Sequence, residues 1–268
     1  VKVNTKTLVQ LLSATVREQH INGKAQQQVT GCVLRLTDNV LSTTSIVKDG
    51  KTSLAQFSFK CDEQDDEVIP VPDIDRLTGV LKFHSDMVEL TYNTPTDRVK
   101  VKSKKKQTTL IGGFNAKAFP NSQNTLREWS LEALNRAEQI DGKVYKLRDG
   151  STRSPFFTAS IDAGELHDAL RCDGINGQKL NRYQFIFDGS TLTLKVGDYF
   201  KGMTETTLVA NYAGDEFEAT FEGGLEHCVK HYTGEVKLYF LDFTEEGQGI
   251  RLILSFGDDW VFQAGVLQ

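Results

Sequence analysis

The sequence predicts an α+β fold made twice, with antiparallel sheets and two short helices in each copy. Three observations carry that expectation. First, the stretch Asp75 to Tyr92 lies over Gly223 to Phe240, so that Leu77 falls on Leu225, Val80 on Cys228, Leu81 on Val229, Lys82 on Lys230, Val88 on Val236 and Leu90 on Leu238. Second, the helical pattern Leu8, Leu11, Leu12 returns as Leu166, Ala169, Leu170, at an offset of 158 residues (Leu8 to Leu166) against 148 (Leu77 to Leu225). Third, most of the chain reads as short alternating or β-branched runs with hairpin-length connections, the mark of antiparallel sheets with helices on one face.

The elements follow in order. Asn4 or Thr5 caps a first helix that turns Leu8, Leu11, Leu12 and Val16 inward, with Lys6, Gln10, Ser13 and Arg17 on its other face. Strands are expected over Gln28–Leu36, Val40–Val47, Ser53–Cys61 and Glu67–Val71. Pro72 opens a second helix that buries Ile74, Leu77, Val80 and Leu81. Strands Met87–Tyr92, Arg98–Ser103 and Thr108–Ile111 complete the first copy.

From Gly112 to about Arg153 the pattern breaks. Gly112-Gly113 and Pro120-Asn121-Ser122 are loop signals, yet Leu126, Trp129, Ala133, Leu134, Ala137 and Ile140 recur at helical spacing. A connector with its own amphipathic helix is expected there, between a first domain at 1–113 and a second at 154–268. In the second copy, Asp162-x-x-Glu165 has the spacing of a capping box before Leu166, Ala169 and Leu170. Strands are expected over Arg182–Asp188, Thr191–Val196, Thr206–Tyr212 and Glu216–Phe221. A helix follows over Leu225–Tyr232, then strands Glu235–Phe243, Gly249–Phe256 and Trp260–Val266.

Composition narrows the function. The 268 residues carry 31 Lys+Arg against 36 Asp+Glu, a net charge of −5, which argues against a generally basic protein but not against a basic face. No apolar run approaches the roughly 20 residues of a membrane span, and no signal-peptide core follows Val1. Cys32, Cys61, Cys172 and Cys228 are widely spaced, which favours reduced thiols in a cytosolic or nuclear protein over a disulfide framework. His227-x3-His231 has zinc-binding spacing without further ligands nearby, and Gly50-Lys51-Thr52 lacks the earlier glycine of a phosphate loop, since Ser45 stands there. The acidic run Asp62, Glu63, Asp65, Asp66, Glu67 lacks the order of a calcium loop. No catalytic constellation and no cofactor site emerges.

The run Val68-Ile69-Pro70-Val71-Pro72-Asp73-Ile74-Asp75-Arg76-Leu77-Thr78-Gly79-Val80-Leu81 resembles the second-helix unit of DNA polymerase sliding clamps. The C-terminal run from Phe217 through Gly234-Glu235-Val236-Lys237-Leu238 to Trp260-Val261-Phe262-Gln263-Ala264 resembles the end of such a clamp. The likeness is to the two-domain kind, PCNA and the clamps of T-even-like phages, and the longer connector departs from it. The resemblance implies a non-enzymatic viral or cellular processivity factor at the site of replication. It implies three chains joined head to tail around duplex DNA, with helices lining the hole and with a DNA polymerase and a clamp loader as partners.

On that resemblance the DNA-facing candidates are Lys6, Arg17, Arg76, Lys82, His167, Arg171, Lys230 and His231 on the helices, with Asp75, Glu165, Asp168 and Glu226 interleaved. A solvated helix face accounts for any one of them better than DNA contact does, and only the set as a group favours DNA contact. Lys100, Lys102 and Lys104, within the run Arg98 to Lys106, fit either a phosphate-contacting patch on the rim or an edge strand kept soluble by lysines. Partner-peptide candidates are Ile46, Val47, Leu126, Trp129, Val261, Phe262, Val266 and Leu267. Two other readings stay open: a monomeric or dimeric processivity factor that grips DNA by charge, and a β-rich ligand-binding protein or enzyme with an internal repeat.

Overall fold

The computed structural model describes residues 1–21, 24–29, 31–47, 53–62, 64–84, 86–112, 140–141, 144–147, 149–172, 182–198, 202–223, 225–230 and 232–266. The chain divides into two compact units, one of Val1–Val16, Val29–Ile46 and Ala55–Ala137, the other of Arg17–Gln28, Val47–Leu54 and Glu138–Gln268. The connector helix expected around Leu126 and Trp129 lies outside the described residues.

Chain order begins with β1 (Lys2–Asn4), α1 (Thr5–Thr15), β2 (Arg17–Ile21), β3 (Lys24–Val29), β4 (Cys32–Thr37), β5 (Val40–Val47), β6 (Ser53–Lys60), β7 (Glu67–Val71), α2 (Ile74–Leu81), β8 (Met87–Asn93), β9 (Arg98–Ser103) and β10 (Lys106–Ile111). Short strands β11 (Ile140–Asp141), β12 (Val144–Lys146) and β13 (Thr152–Arg153) form a small sheet. Next come β14 (Phe157–Asp162), α3 (Ala163–Arg171), β15 (Arg182–Phe187), β16 (Leu192–Asp198), β17 (Gly202–Thr207), β18 (Asn211–Gly214) and β19 (Phe217–Glu222). The order closes with α4 (Leu225–Val229), β20 (Glu235–Phe243), β21 (Gly249–Phe256) and β22 (Asp259–Ala264).

The same strand order recurs in both units. In the first, strands run β1-β8-β9-β10 and β6-β5-β4-β7; in the second, β14-β20-β21-β22 and β17-β16-β15-β19, with β18 added beyond β14. All of these pairings with a defined register are antiparallel, as in Leu90↔Val101 and Leu238↔Leu254. Each unit also carries one further matched feature. The Thr5 N–H donates to the Asp86 carbonyl at 2.8 Å where α1 leaves β1, and the Ala163 N–H donates to the Gly234 carbonyl at 2.7 Å where α3 leaves β14. Thr5 to Ala163 is an offset of 158 and Asp86 to Gly234 one of 148, the two offsets of the sequence repeat.

Each helix start is explained by its first residues. The Asn4 side chain accepts from the N–H of Lys6 and Thr7, and Asp162 accepts from Gly164 and Glu165, satisfying amides that a helix leaves unpaired. Asp73, rather than Pro72, caps α2 through the Arg76 N–H. Glu165 does not close the capping box; its carboxylate accepts the Val209 N–H at 2.7 Å instead. Helix apolar faces are buried at Leu8, Leu11, Leu12, Leu77 and Leu81 in the first unit and at Leu166, Ala169, Leu170, Leu225, Cys228 and Val229 in the second, whereas Val16 and Val80, expected inward, are half-buried. Each fully buried leucine contributes about 1.5–3 kcal/mol relative to exposure.

Several boundaries differ from the expected ones, and the helix expected over Leu225–Tyr232 ends at Val229. Helix α1 stops at Thr15, because Val16 is extended (φ −65°, ψ 136°), so Arg17 lies on β2 and not on the helix. The expected strand Gln28–Leu36 is divided between β3 and β4. The expected strand Thr206–Tyr212 is also two, since β17 pairs with β16 while β18 pairs with β14.

Candidate nucleic-acid interface

The helices present the charged side chains of both units. On α1, Lys6 is exposed; on α2, Arg76 is exposed, and Lys82 is exposed at the C-cap, where a cation suits the helix dipole. On α3, Arg171 is exposed and its guanidinium lies 3.6 Å from the Asp168 carboxylate, while His167 is half-buried with Nδ1 4.0 Å from the same carboxylate. Both partners of the Arg171 pair are well solvated, so the pair constrains Arg171 weakly and leaves it available. Lys230 is exposed immediately past α4, and its N–H donates to the Glu226 carbonyl at 3.2 Å. His231 lies outside the described residues, and so does the Arg17 side chain.

The lysine-rich strand divides by side. Val99 lines one cavity with Leu77 and Arg76, so the β9 face carrying Val99 and Val101 is the face that α2 covers. Lys100 and Lys102 are exposed on the opposite face, away from the helices. Directly paired residues share a face, and β10 pairs Lys106 with Ser103, Thr108 with Val101 and Leu110 with Val99. Lys106 therefore belongs to the helix side, with Lys104 and Lys105 at the hairpin tip. Sequence reasoning placed Lys106 in the cationic run but not among the DNA-facing candidates, although its register with Ser103 follows once the hairpin turn is placed at Lys104–Lys105.

The end of each second helix is tied to the tip of the hairpin that follows. In the first unit the His84 ring nitrogens lie 2.9 Å from Ser103 Oγ and 3.2 Å from Thr108 Oγ1. Burial, and then the nearby Lys106 ammonium, hold the His84 imidazole below its ordinary pKa, so it is a neutral link at pH 7. In the second unit the matching residue, Tyr232, donates its hydroxyl to Asp259 at 2.6 Å and stacks on Phe256 with ring centroids 4.0 Å apart. Burial and the Asp259 carboxylate push the Tyr232 phenol far up, so it stays a donor.

Partner candidates separate by burial. Val261 and Phe262 sit in the β21–β22 ladder and are core residues, so neither is an exposed anchor. Val266 is half-buried; its N–H donates to the Thr220 carbonyl at 2.8 Å, and it lines a cavity of about 260 Å³ with Thr220, Thr244, Ile250 and Gly265. The side chains of Ile46 and Val47, and all of Leu126, Trp129 and Leu267, lie outside the described residues. Among the described residues no group of three His, Cys, Asp or Glu side chains is placed to hold a metal ion, and no helix is long and apolar enough to cross a membrane.

No protein-family model and no curated protein matches the chain. Solved structures do. The DNA polymerase III subunit beta from Pseudomonas aeruginosa matches with TM-score 0.64 and 14% identity, over 100% of this chain and 66% of that one. The DNA polymerase sliding clamp from Bacillus subtilis matches with TM-score 0.67 and 13% identity, over 100% and 64%. A putative DNA polymerase III beta subunit from Eubacterium rectale matches with TM-score 0.67 and 12% identity, over 100% and 65%. This chain thus spans just under two thirds of the length of those chains. The doubled strand order, the paired helices and the full-length superposition together give this chain the fold of the DNA polymerase sliding clamps.

Proposed function

We propose that the chain is a sliding clamp: a non-catalytic processivity factor that closes as a homotrimeric, head-to-tail ring around duplex DNA at the replication site. In that ring it tethers the polymerase after a clamp loader has opened it. The observation that carries the reading is the repeat of one strand order with one helix-entry hydrogen bond in both units. A repeated unit of this kind closes a ring when an edge strand of one end meets an edge strand of the other. β10 is the end strand of β1-β8-β9-β10, and β17 is the end strand of β17-β16-β15-β19. Pairing of β10 with the β17 of the next chain supplies such a closure. The two copies correspond to clamp domains at 1–113 and 154–268, joined by the connector 114–153.

Lys6, Arg76, Lys82, Arg171 and Lys230, with His167 beside them, form the DNA-facing set. Sliding needs contacts of this weak, sequence-independent kind, because the closed ring rather than affinity retains the duplex. Lys100 and Lys102 fit the outer wall better than the hole, since they point away from the helices. The cavity beside Val266 is the proposed seat for the apolar anchor of a partner peptide.

Joint charge reversal, Lys6→Glu, Arg171→Glu and Lys230→Glu, tests the assignment. All three residues are exposed, so stability is expected to change by no more than about 0.5 kcal/mol at each. Clamp-dependent DNA synthesis on a primed circle is expected to fall by roughly ten-fold as phosphate contacts are lost. Processivity equal to that of the unaltered chain would contradict the DNA-facing role of the helices.

A further inference from the structure

Among the described residues the exposed aromatic rings are Phe83, at 70% relative exposure, and Tyr212, at 40%. Tyr212 is engaged: its ring packs 4.8 Å from Phe187 and its hydroxyl donates to the Ser190 carbonyl. Phe83 sits in the turn after α2, where its N–H donates to the Val80 carbonyl at 3.0 Å and its neighbour His84 does the work of tying the turn to Ser103 and Thr108. That tie brings the turn against the β9–β10 hairpin, whose tip is Lys104 and Lys105. Lys106 is near enough for its charge to act on His84. Lys82 adjoins Phe83 in sequence and is exposed. In the described parts of the two turns the lysines 82, 104, 105 and 106 outnumber the one acid, Asp86.

An apolar ring held out into water beside Lys82, on a turn tied to a lysine-tipped hairpin, buries little surface on folding. Phe83 lines neither of the two cavities described above, and at this exposure it offers a face and not a socket. A face flanked by cations suits a nucleobase with its phosphate; a peptide anchor needs a socket. From this juxtaposition we infer that Phe83, with Lys82 and Lys104–Lys106, is a stacking site for unpaired bases of single-stranded DNA. Its setting, template strand leaving a duplex beside the clamp, rests on the sliding-clamp reading. The stacking itself does not.

The test uses the full chain and a fluorescein-labelled 20-nucleotide oligo(dT), read by anisotropy across a salt series. Phe83→Ala is expected to weaken binding about five-fold or more, and Phe83→Trp to retain it. Lys104→Glu with Lys105→Glu is expected to flatten the slope of log affinity against log salt by about 1.4 for two lost contacts. Binding of a blunt duplex of equal length is expected to be indifferent to Phe83→Ala. Thermal melts of each variant confirm that the chain remains folded. Oligo(dT) affinity unchanged by Phe83→Ala overturns the site, and so does a loss confined to an oligoglutamate peptide. A single-chain mass in solution would overturn the ring and leave the oligo(dT) result standing, so the two failures are distinguishable.

Discussion

Phe240→Ala is expected to destabilise the second unit by about 3–5 kcal/mol, the cost of truncating a buried phenylalanine. Phe240 is fully buried on β20 at the centre of an aromatic cluster. Its ring centroid lies 4.5 Å from that of Phe217, 5.5 Å from Phe185, 5.7 Å from Phe157 and 6.1 Å from Phe221. These rings come from β14, β15, β19 and β20, so the cluster joins strands of the two strand sets of that unit. Because cores are close-packed, the neighbours cannot collapse into the space without leaving their own contacts. Lys237→Ala on the same strand removes an exposed side chain and is expected to change stability by no more than about 0.5 kcal/mol. Calorimetric melts check both. The Phe240 variant should melt roughly 6–20 °C lower, at about 2–4 °C per kcal/mol. A shift under about 2 °C would mean the cluster does not hold the unit together.

Gly197→Ala is expected to unseat β17. Gly197 has φ +103°, and a Cβ there would stand 2.4 Å from the Gly202 carbonyl oxygen. It pairs with Met203 in the β16–β17 ladder, and Asp198 pairs with Gly202. A side chain adds about 1–2 kcal/mol for the left-handed backbone and forces the two strands apart besides. Since β17 is the edge proposed to meet the neighbouring chain, the variant is expected to lose the trimer mass proposed for the unaltered chain at the same concentration. Gly247→Ala provides the control: Gly247 has φ +68°, but nothing lies within 4 Å of the added atom. It bears similar backbone strain without displacing an edge, and its trimer should persist. A Gly197→Ala chain that keeps full trimer mass would remove β17 from the interface.

Much of the fold was legible because helix and strand periods are written in apolar residues. Leu8, Leu11 and Leu12, and their counterparts Leu166, Ala169 and Leu170, are buried as the spacing requires. Met87–Tyr92 and Glu235–Phe240 alternate as strands with one buried face. What escaped was decided by pairing rather than by local pattern. Arg17–Ile21 is polar, yet pairs as β2 with β3, so Arg17 had read as part of a helix face and the strand went unseen. Leu208 and Val209 continue the apolar tone between β17 and β18, which hid a crossing from one strand set to another. The functional surface was less legible still. Alternation separates Lys100 and Lys102 from Val99 and Val101, but only the position of α2 says which face is covered. Val261 and Phe262 resembled exposed anchors in an apolar tail until the β21–β22 register placed them in the core. Phe83 was not singled out by the sequence, since only the end of α2 at Leu81 leaves its ring in water.

The most direct measurement is the solution mass of the unaltered chain, by light scattering after size exclusion, over a series of loading concentrations. Rings dissociate on dilution, so the series must reach concentrations at which the mass no longer rises. A plateau near three times the 29.9 kDa chain mass is expected. A plateau at one or two chain masses would contradict the three-chain ring.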